Sequence, residues 1–374
     1  MIIAVNARLL IKNKLEGIGR FAYETLSRIT IQHPEHTFIF IFDSAYDKSF
    51  IFSSNVIPVV GGPPAKHPLL FYLWFEFTVT RLLKKYKADL FVSPDGYLSL
   101  STDVKSLAVI HDLNFEHYPK DLPYLMGKYY RLFFPRFARK ADRIATVSQF
   151  SKRDIISKYS IGEDKIDVVY NGVSDLFKPV REISADTNRN RYSNHKPYFF
   201  YVGSIHPRKN ICNMLKAFEL FKTTTGAGVK FIIAGEKYFW TTEMQQTIER
   251  MEYRNDVIFT GRIEDVELAE ILADALALVY ISYFEGFGIP LIEAMQCDVP
   301  VITSDKSALP EIAGNAAILI NPFSVDSIAN AMYEIYKYPN LRQELIIKGR
   351  TRRNEFHWQK TADKLWESIC KTME

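Results

Sequence analysis

Twelve short apolar runs, each leading into a segment of helical periodicity, limit what this chain can fold into. Six lie in the first half, at 2–5, 37–42, 90–92, 107–110, 143–147 and 166–169. Six lie in the second, at 198–202, 230–234, 257–260, 276–281, 299–303 and 317–320. Strands that alternate with amphipathic helices describe parallel sheets flanked by helices. The segment 211–221 shows the helical period most clearly, through Ile211, Met214, Leu215, Phe218 and Phe221. At 374 residues the chain exceeds the usual size of one domain, and the polar stretch 181–196 offers the break. The expected architecture is α/β: a Rossmann-like domain over 1–177, a linker over 178–197, a second Rossmann-like domain over 198–356, and a closing helix over 357–374 available to pack back on the first domain. The two parallel-sheet lobes are expected to face each other across a cleft, with ligands beyond the carboxyl ends of the strands.

Composition narrows the class further. A hydrophobic fraction of 47% and a charged fraction of 24% are ordinary for a globular protein in water. No run of 18 apolar residues exists; the nearest, 69–83, contains Glu76, Thr78, Thr80 and Arg81 and reads as a buried or interfacial helix. Cys212, Cys297 and Cys370 are scattered, odd in number and lack metal-ligand spacing, which points to a reducing compartment and to no metal site. The first residues read as a strand and lack the layout of a signal peptide. The net charge of +4 resides in the first half, the one expected to meet an anionic partner. No nucleic-acid-binding module is recognisable.

The richest chemistry lies in residues 282–293, Ser-Tyr-Phe-Glu-Gly-Phe-Gly-Ile-Pro-Leu-Ile-Glu. Glu285 and Glu293 bracket a Gly286-Phe287-Gly288 turn that opens a helix, with Pro290 in its first turn. A helix start offers free N–H groups and the positive end of a dipole, which suits an anion. Carboxylates beside it suit a ligand that also carries hydroxyls, as a nucleotide sugar does: Glu285 for the sugar, Glu293 for the ribose. Gly203-Ser-Ile-His-Pro-Arg208-Lys209-Asn210 joins another strand to a helix. Two cations at a helix start oppose its dipole, so an anionic ligand explains them better than local stability does.

Other motifs are less decided. Gly17-Ile-Gly19-Arg20-Phe21-Ala22 fits a dinucleotide fingerprint, with Asp43 near the place of a ribose-binding acid. In that fingerprint the glycines follow the first strand directly, whereas residues 6–16 intervene here, so a glycine loop over a diphosphate is the better reading. His111-Asp112 stands at a strand's carboxyl end, where a catalytic and a structural histidine are both open. Ser307 to Glu311 divides evenly between a structural turn and a functional one. The basic, aromatic stretch 131–143 is interrupted by Pro135 and reads as a helix pair with a solvated basic face rather than a membrane helix. Tyr97, Phe115, Tyr118 and Tyr124 could stack on sugars or pack inside.

Taken in order, Gly17-x-Gly19-Arg20, His111-Asp112, Thr146-Val-Ser148-x-Phe-Ser151, Asn171-Gly172, Arg208-Lys209-Asn210, Glu285-x7-Glu293 and Leu309-Pro310-Glu311 resemble the family-four retaining glycosyltransferases of the GT-B fold. The resemblance spans nearly the whole chain. It implies transfer of a hexose from a nucleoside-diphosphate sugar to a glycan or lipid-linked glycan, with retention and without a metal or other cofactor. It implies that Arg208, Lys209 and Ser204 meet the diphosphate, Gly17 and Gly19 close over it, and Glu293 binds the ribose. Glu285 and the Gly286-Phe287-Gly288 backbone would hold the sugar, with His111 near the reacting carbon. The form of the phosphate motif resembles a mannosyltransferase branch, favouring GDP-mannose over UDP-hexoses. The implied setting is surface-polysaccharide synthesis in the cytoplasm, with contact between the N-terminal lobe and the inner membrane face left open. A same-fold epimerase and a non-catalytic sugar-nucleotide-binding subunit are the alternatives. Ser204 stands where many members carry Arg, and Asp298 where many carry Gly.

Overall fold

A computed structural model of the chain describes residues 1–15, 17–65, 67–179 and 188–374. These divide into two compact units, Met1–Gly172 with His357–Glu374, and Val173–Phe356. The first is built on seven strands: β1 (Ile2–Asn6), β2 (Thr37–Phe42), β3 (Val56–Val60), β4 (Leu90–Ser93), β5 (Lys105–Val109), β6 (Arg143–Thr146) and β7 (Ile166–Val168). Their order is β3-β2-β1-β4-β5-β6-β7, with every pairing parallel. The second has six: β8 (Tyr198–Val202), β9 (Lys230–Ala234), β10 (Val257–Gly261), β11 (Ala277–Tyr280), β12 (Val301–Ser304) and β13 (Ala317–Ile320). They run β10-β9-β8-β11-β12-β13, again all parallel. Each sheet is thus a doubly wound Rossmann sheet. The strand order reverses between β1 and β4 in one and between β8 and β11 in the other, the switch points where such sheets bind ligands.

The central strands β1, β8 and β11 are largely apolar along their length rather than alternately, because both faces are covered. Phe199, Phe200, Leu278 and Val279 are fully buried. The strand absent from the sequence reading, β3, contains Pro58 and lies at the sheet's edge, where proline is tolerated.

Helix Gly17–Gln32 packs against the last helix, Trp358–Met373, which also contacts β5 and β6. The last helix buries Trp358, Ala362, Leu365 and Ile369, and stacks Trp366 on His33 with 3.7 Å between ring centres. Of the expected linker, residues 180–187 lie outside the described residues. Its later part is not plain exposed chain: it contains a short helix, Asn188–Ser193, with Ser193 buried.

Two helical stretches also depart from expectation. The run 69–83 lies within an unbroken helical stretch, Pro68–Leu73, Trp74–Val79 and Thr80–Lys85, whose middle piece is a π-helix. It buries Trp74 and Phe75 yet exposes Leu69 and Phe77. The stretch around Pro135 is one helix, Tyr124–Lys140, not a pair. Proline forfeits one backbone hydrogen bond, and the buried rings of Phe134 and Phe137 on its other face hold the helix through that loss. Among the described residues no helix is long and apolar enough to cross a membrane.

Candidate active site

In the second unit the switch point is occupied by charge. A tight turn, Pro207–Lys209, follows β8 and presents Arg208 and Lys209. His206 caps the turn, its Nδ1 accepting from the Arg208 N–H at 3.3 Å, and Asn210 ends it in left-handed backbone at φ 64°. Asn210 is held there by donating to the carbonyl of Pro322 at 2.6 Å. Glu285 comes from the loop after β11. Its carboxylate lies 2.7 Å from Arg208 Nη1 and 2.5 Å from Lys209 Nζ, and accepts from the Tyr280 hydroxyl at 3.0 Å. Lys209 also donates to the Tyr280 oxygen and lies 4.8 Å from the centre of that ring. Burial alone would raise the Glu285 carboxyl; the charges of Arg208 and Lys209 outweigh it and hold the group down to about 2. Burial and the neighbouring carboxylate push the Tyr280 hydroxyl well above its ordinary value, so it stays a neutral donor.

The turn that carries Glu285 is clamped from β12's far end. The Glu285 N–H donates to Ser307 Oγ at 3.0 Å, and the Ala308 N–H donates to the Glu285 carbonyl at 3.3 Å. The segment 307–311 is thus part of the site's scaffold. Gly288 sits at φ 106° just before helix Ile289–Gln296, and a methyl there would lie 2.6 Å from Leu309 Cδ2. No side chain caps this helix; Pro290 carries no N–H and the Leu291 N–H donates to the Gly288 carbonyl at 3.0 Å, so the helix offers an anion its positive dipole end rather than a set of free donors. Glu293 lies one turn in and is partly buried, and Phe287 is buried with its ring edge-on to Phe356. Ser204 is exposed, its carbonyl accepting from the Tyr201 hydroxyl at 3.3 Å.

Asp298 adopts φ 59°, the conformation that glycine serves with least strain. Its carboxylate points to the helix Pro339–Arg352: Arg350 grips it at 2.9 and 2.6 Å, and Arg353, just beyond, at 3.2 Å. Ion pairs therefore compensate the strained backbone.

The first unit gathers its own polar cluster at β1, β4 and β5. Asp95 accepts from Asn6 Nδ2 at 2.7 Å, from Ser93 Oγ at 3.0 Å and from Arg8 Nε at 2.7 Å. Arg8 lies under aromatic faces, 4.6 Å from the centre of Tyr97 and 5.0 Å from that of Phe71. The pairing of Asn6 and Arg8 with Asp95 is not visible in the sequence. His111 lies beside this cluster. Its Nε2–H donates to the Pro94 carbonyl at 2.8 Å, and its ring meets Phe21 edge-on at 5.0 Å. Burial lowers its pKa, against the opposing pull of that carbonyl bond, and keeps the imidazole neutral with Nδ1 as an acceptor.

Gly17 and Gly19 lie in the first turn of helix Gly17–Gln32, not in a loop. Gly19 is required by packing, since a methyl would sit 2.8 Å from the Leu9 carbonyl oxygen, whereas the space beside Gly17 is open. Tyr97 and Phe115 are buried packing residues; Tyr124 is 69% exposed.

Residues 183–352 match the model of the group 1 glycosyl transferases, and residues 16–175 that of glycosyltransferase family 4. O-antigen chain mannosyltransferase B of Escherichia coli is 27% identical over 365 residues, 93% of this chain and 94% of its own. The O-antigen chain mannosyltransferase RfbU of Salmonella typhimurium is 26% identical over 288 residues, 76% of each chain. Among solved structures, Anabaena HepE in complex with UDP-glucose aligns at a TM-score of 0.75 over 99% of both chains with 16% identity, a likeness of fold.

Proposed function

The chain belongs to the glycosyltransferases, joining a family 4 first half to a group 1 second half, and we propose that it moves mannose from GDP-mannose to a glycan acceptor in surface-polysaccharide synthesis. The observation that carries this reading is the Arg208–Lys209–Glu285 cluster at the carboxyl ends of β8 and β11. The likeness to O-antigen chain mannosyltransferases supports mannose and a polysaccharide acceptor; UDP-hexoses are the competing donors.

The chemistry follows from charge. When the bond between the anomeric carbon and the diphosphate breaks, negative charge grows on the leaving oxygen. Arg208, Lys209 and the uncapped start of helix Ile289–Gln296 are placed to stabilise it. These fixed positive groups supply what a divalent ion would otherwise provide, so the reaction is metal-independent. Arg208 has a side chain 20% exposed against 7% for Lys209, so Arg208 is the cation that turns from Glu285 to the phosphate. Glu285, released on one side, then accepts hydroxyls of the donor sugar. Glu293 serves the ribose, while Ser204 and the Gly286–Gly288 backbone line the donor's path. In the first unit, the neutral His111 offers Nδ1 to a sugar hydroxyl, and Gly17 has open space beside it. The departing phosphate oxygen takes the acceptor's proton as the acceptor attacks from the same face, which retains the anomeric configuration.

The test is to incubate the protein with GDP-mannose, or with UDP-glucose, and mannose-terminated oligosaccharides. Expected are GDP release, a retained anomer by NMR, and indifference to EDTA. Lys209→Ala should slow transfer by about 10²–10³. Absence of turnover with every donor, or an inverted product, would overturn the reading.

A further inference from the structure

The first unit holds a buried ion pair that the transfer chemistry does not use. Arg8 and Asp95 have side chains only 9% and 3% exposed, and their 2.7 Å contact joins the end of β1 to the turn after β4. Desolvating two charges cancels much of what their attraction returns, so stability alone explains such a pair poorly. Its position explains more. The turn Ser93–Gly96 is closed by the Gly96 N–H on the Ser93 carbonyl at 3.2 Å. Gly96, at φ 81°, lies so close to β5 that a methyl there would sit 3.2 Å from the Val109 carbonyl oxygen. Within that turn Pro94 presents its carbonyl to the His111 ring.

Two separate networks meet at His111. The Thr146 hydroxyl donates to the Ile110 carbonyl at 2.6 Å, and the Ser151 hydroxyl to the His111 carbonyl at 3.0 Å. Ser148 holds Ser151 in place, accepting from its N–H at 3.0 Å. The motif Thr146-Val-Ser148-x-Phe-Ser151 thus fixes the backbone at His111 and leaves the ring its own rotation. The Nε2–H bond to Pro94 arrests that rotation. Asn6, Ser93 and Arg8 donate to both carboxylate oxygens of Asp95, the next residue, so the Pro94 carbonyl is tied down in turn. Among the described residues no hydrogen-bond partner meets Nδ1, and His111 is only half-buried.

We propose that Asp95, locked by Arg8 and Asn6, is the positioning residue for His111: it holds the Pro94 carbonyl against Nε2–H and so keeps Nδ1 the acceptor. A ring free to turn, or to pass its proton between nitrogens, presents the wrong atom part of the time. The use of this ring in transfer rests on the proposed function; its tautomer does not.

The experiment is NMR of the full chain labelled at its histidine nitrogens, with His111→Gln to identify the His111 signals, paired with steady-state kinetics. In the wild type, neutral His111 should carry its proton on Nε2 alone. In Asp95→Asn its two nitrogen signals should draw together as the tautomers mix. The kcat should fall about tenfold or more while the donor KM changes less than about twofold. Added to His111→Ala, Asp95→Asn should cost less than about twofold further, because its effect runs through that ring. Should Asp95→Asn fail to fold, Asn6→Ala removes one donor from the same carboxylate and should give the same pattern in smaller measure. An unchanged His111 tautomer in a folded variant, an unchanged kcat beside a shifted tautomer, or additive losses in the double variant would overturn the proposal. A wild type without turnover sinks the transfer reading instead, and the tautomer then decides the role of Asp95.

Discussion

The ammonium of Lys209 lies 2.5 Å from the carboxylate of Glu285, with their side chains only 7% and 9% exposed. The pair ties the loop after β8 to the loop after β11 across the point where the strand order reverses. A buried carboxylate with two cationic partners is over-neutralised, and the residual positive charge is what a diphosphate meets.

The two sides of this cluster should not be equivalent. Glu285→Gln strands two cations and should cost about 3–5 kcal/mol of stability. Lys209→Met leaves Arg208 still paired and should cost less. Urea unfolding of both variants measures the difference, and equal losses would contradict it.

Acid should find the same group. The folded Glu285 carboxyl titrates below its ordinary value of 4.5, near 2. Its contribution to stability is therefore complete above the unfolded value and is lost as pH falls through the interval toward the folded one. Unfolding free energy of the wild type should decline over that window more steeply than that of Glu285→Gln, measured in urea at successive pH values.

Asp298 offers a test of backbone strain against ion pairing. Asp298→Ala loses both arginine contacts and keeps a Cβ in left-handed backbone, whereas Asp298→Gly loses the contacts but relieves the strain. The glycine variant should be more stable than the alanine one by about 1 kcal/mol. Chemical denaturation of the two resolves this.

Gly288→Ala should disturb the Glu285 turn, because the new methyl meets Leu309 while the φ of 106° strains any side chain. A stability loss of about 1–3 kcal/mol is expected, with a fall in turnover larger than any change in acceptor affinity. Steady-state kinetics alongside a thermal melt separate the two effects.

The two sheets were legible because buried parallel strands leave continuous apolar runs, and β2, β8, β9 and β13 fall where the pattern puts them. β3 was not, since Pro58 hides an edge strand. Arg208, Lys209 and Glu285 stand out in sequence as charges beside glycine turns. Their mutual neutralisation does not, because it depends on two loops 76 residues apart meeting at hydrogen-bond distance. Arg8 and Asp95 were invisible as a pair for the same reason, 87 residues separating them. The continuity of Tyr124–Lys140 was misread as a helix pair because Pro135 suggested a break that the aromatic packing overrides.

The final eighteen residues belong to the first unit, although the whole second unit precedes them in the chain. During synthesis, β1 to β7 are complete long before the helix that covers β5 and β6 leaves the ribosome. The second unit, being contiguous, can close its core first. The amino-terminal sheet must wait with the apolar surface later covered by Trp358, Leu365 and Ile369 exposed. Cotranslational order therefore runs against sequence order here, and a chain cut just after Phe356 loses not an appendage but the last wall of its first-made unit.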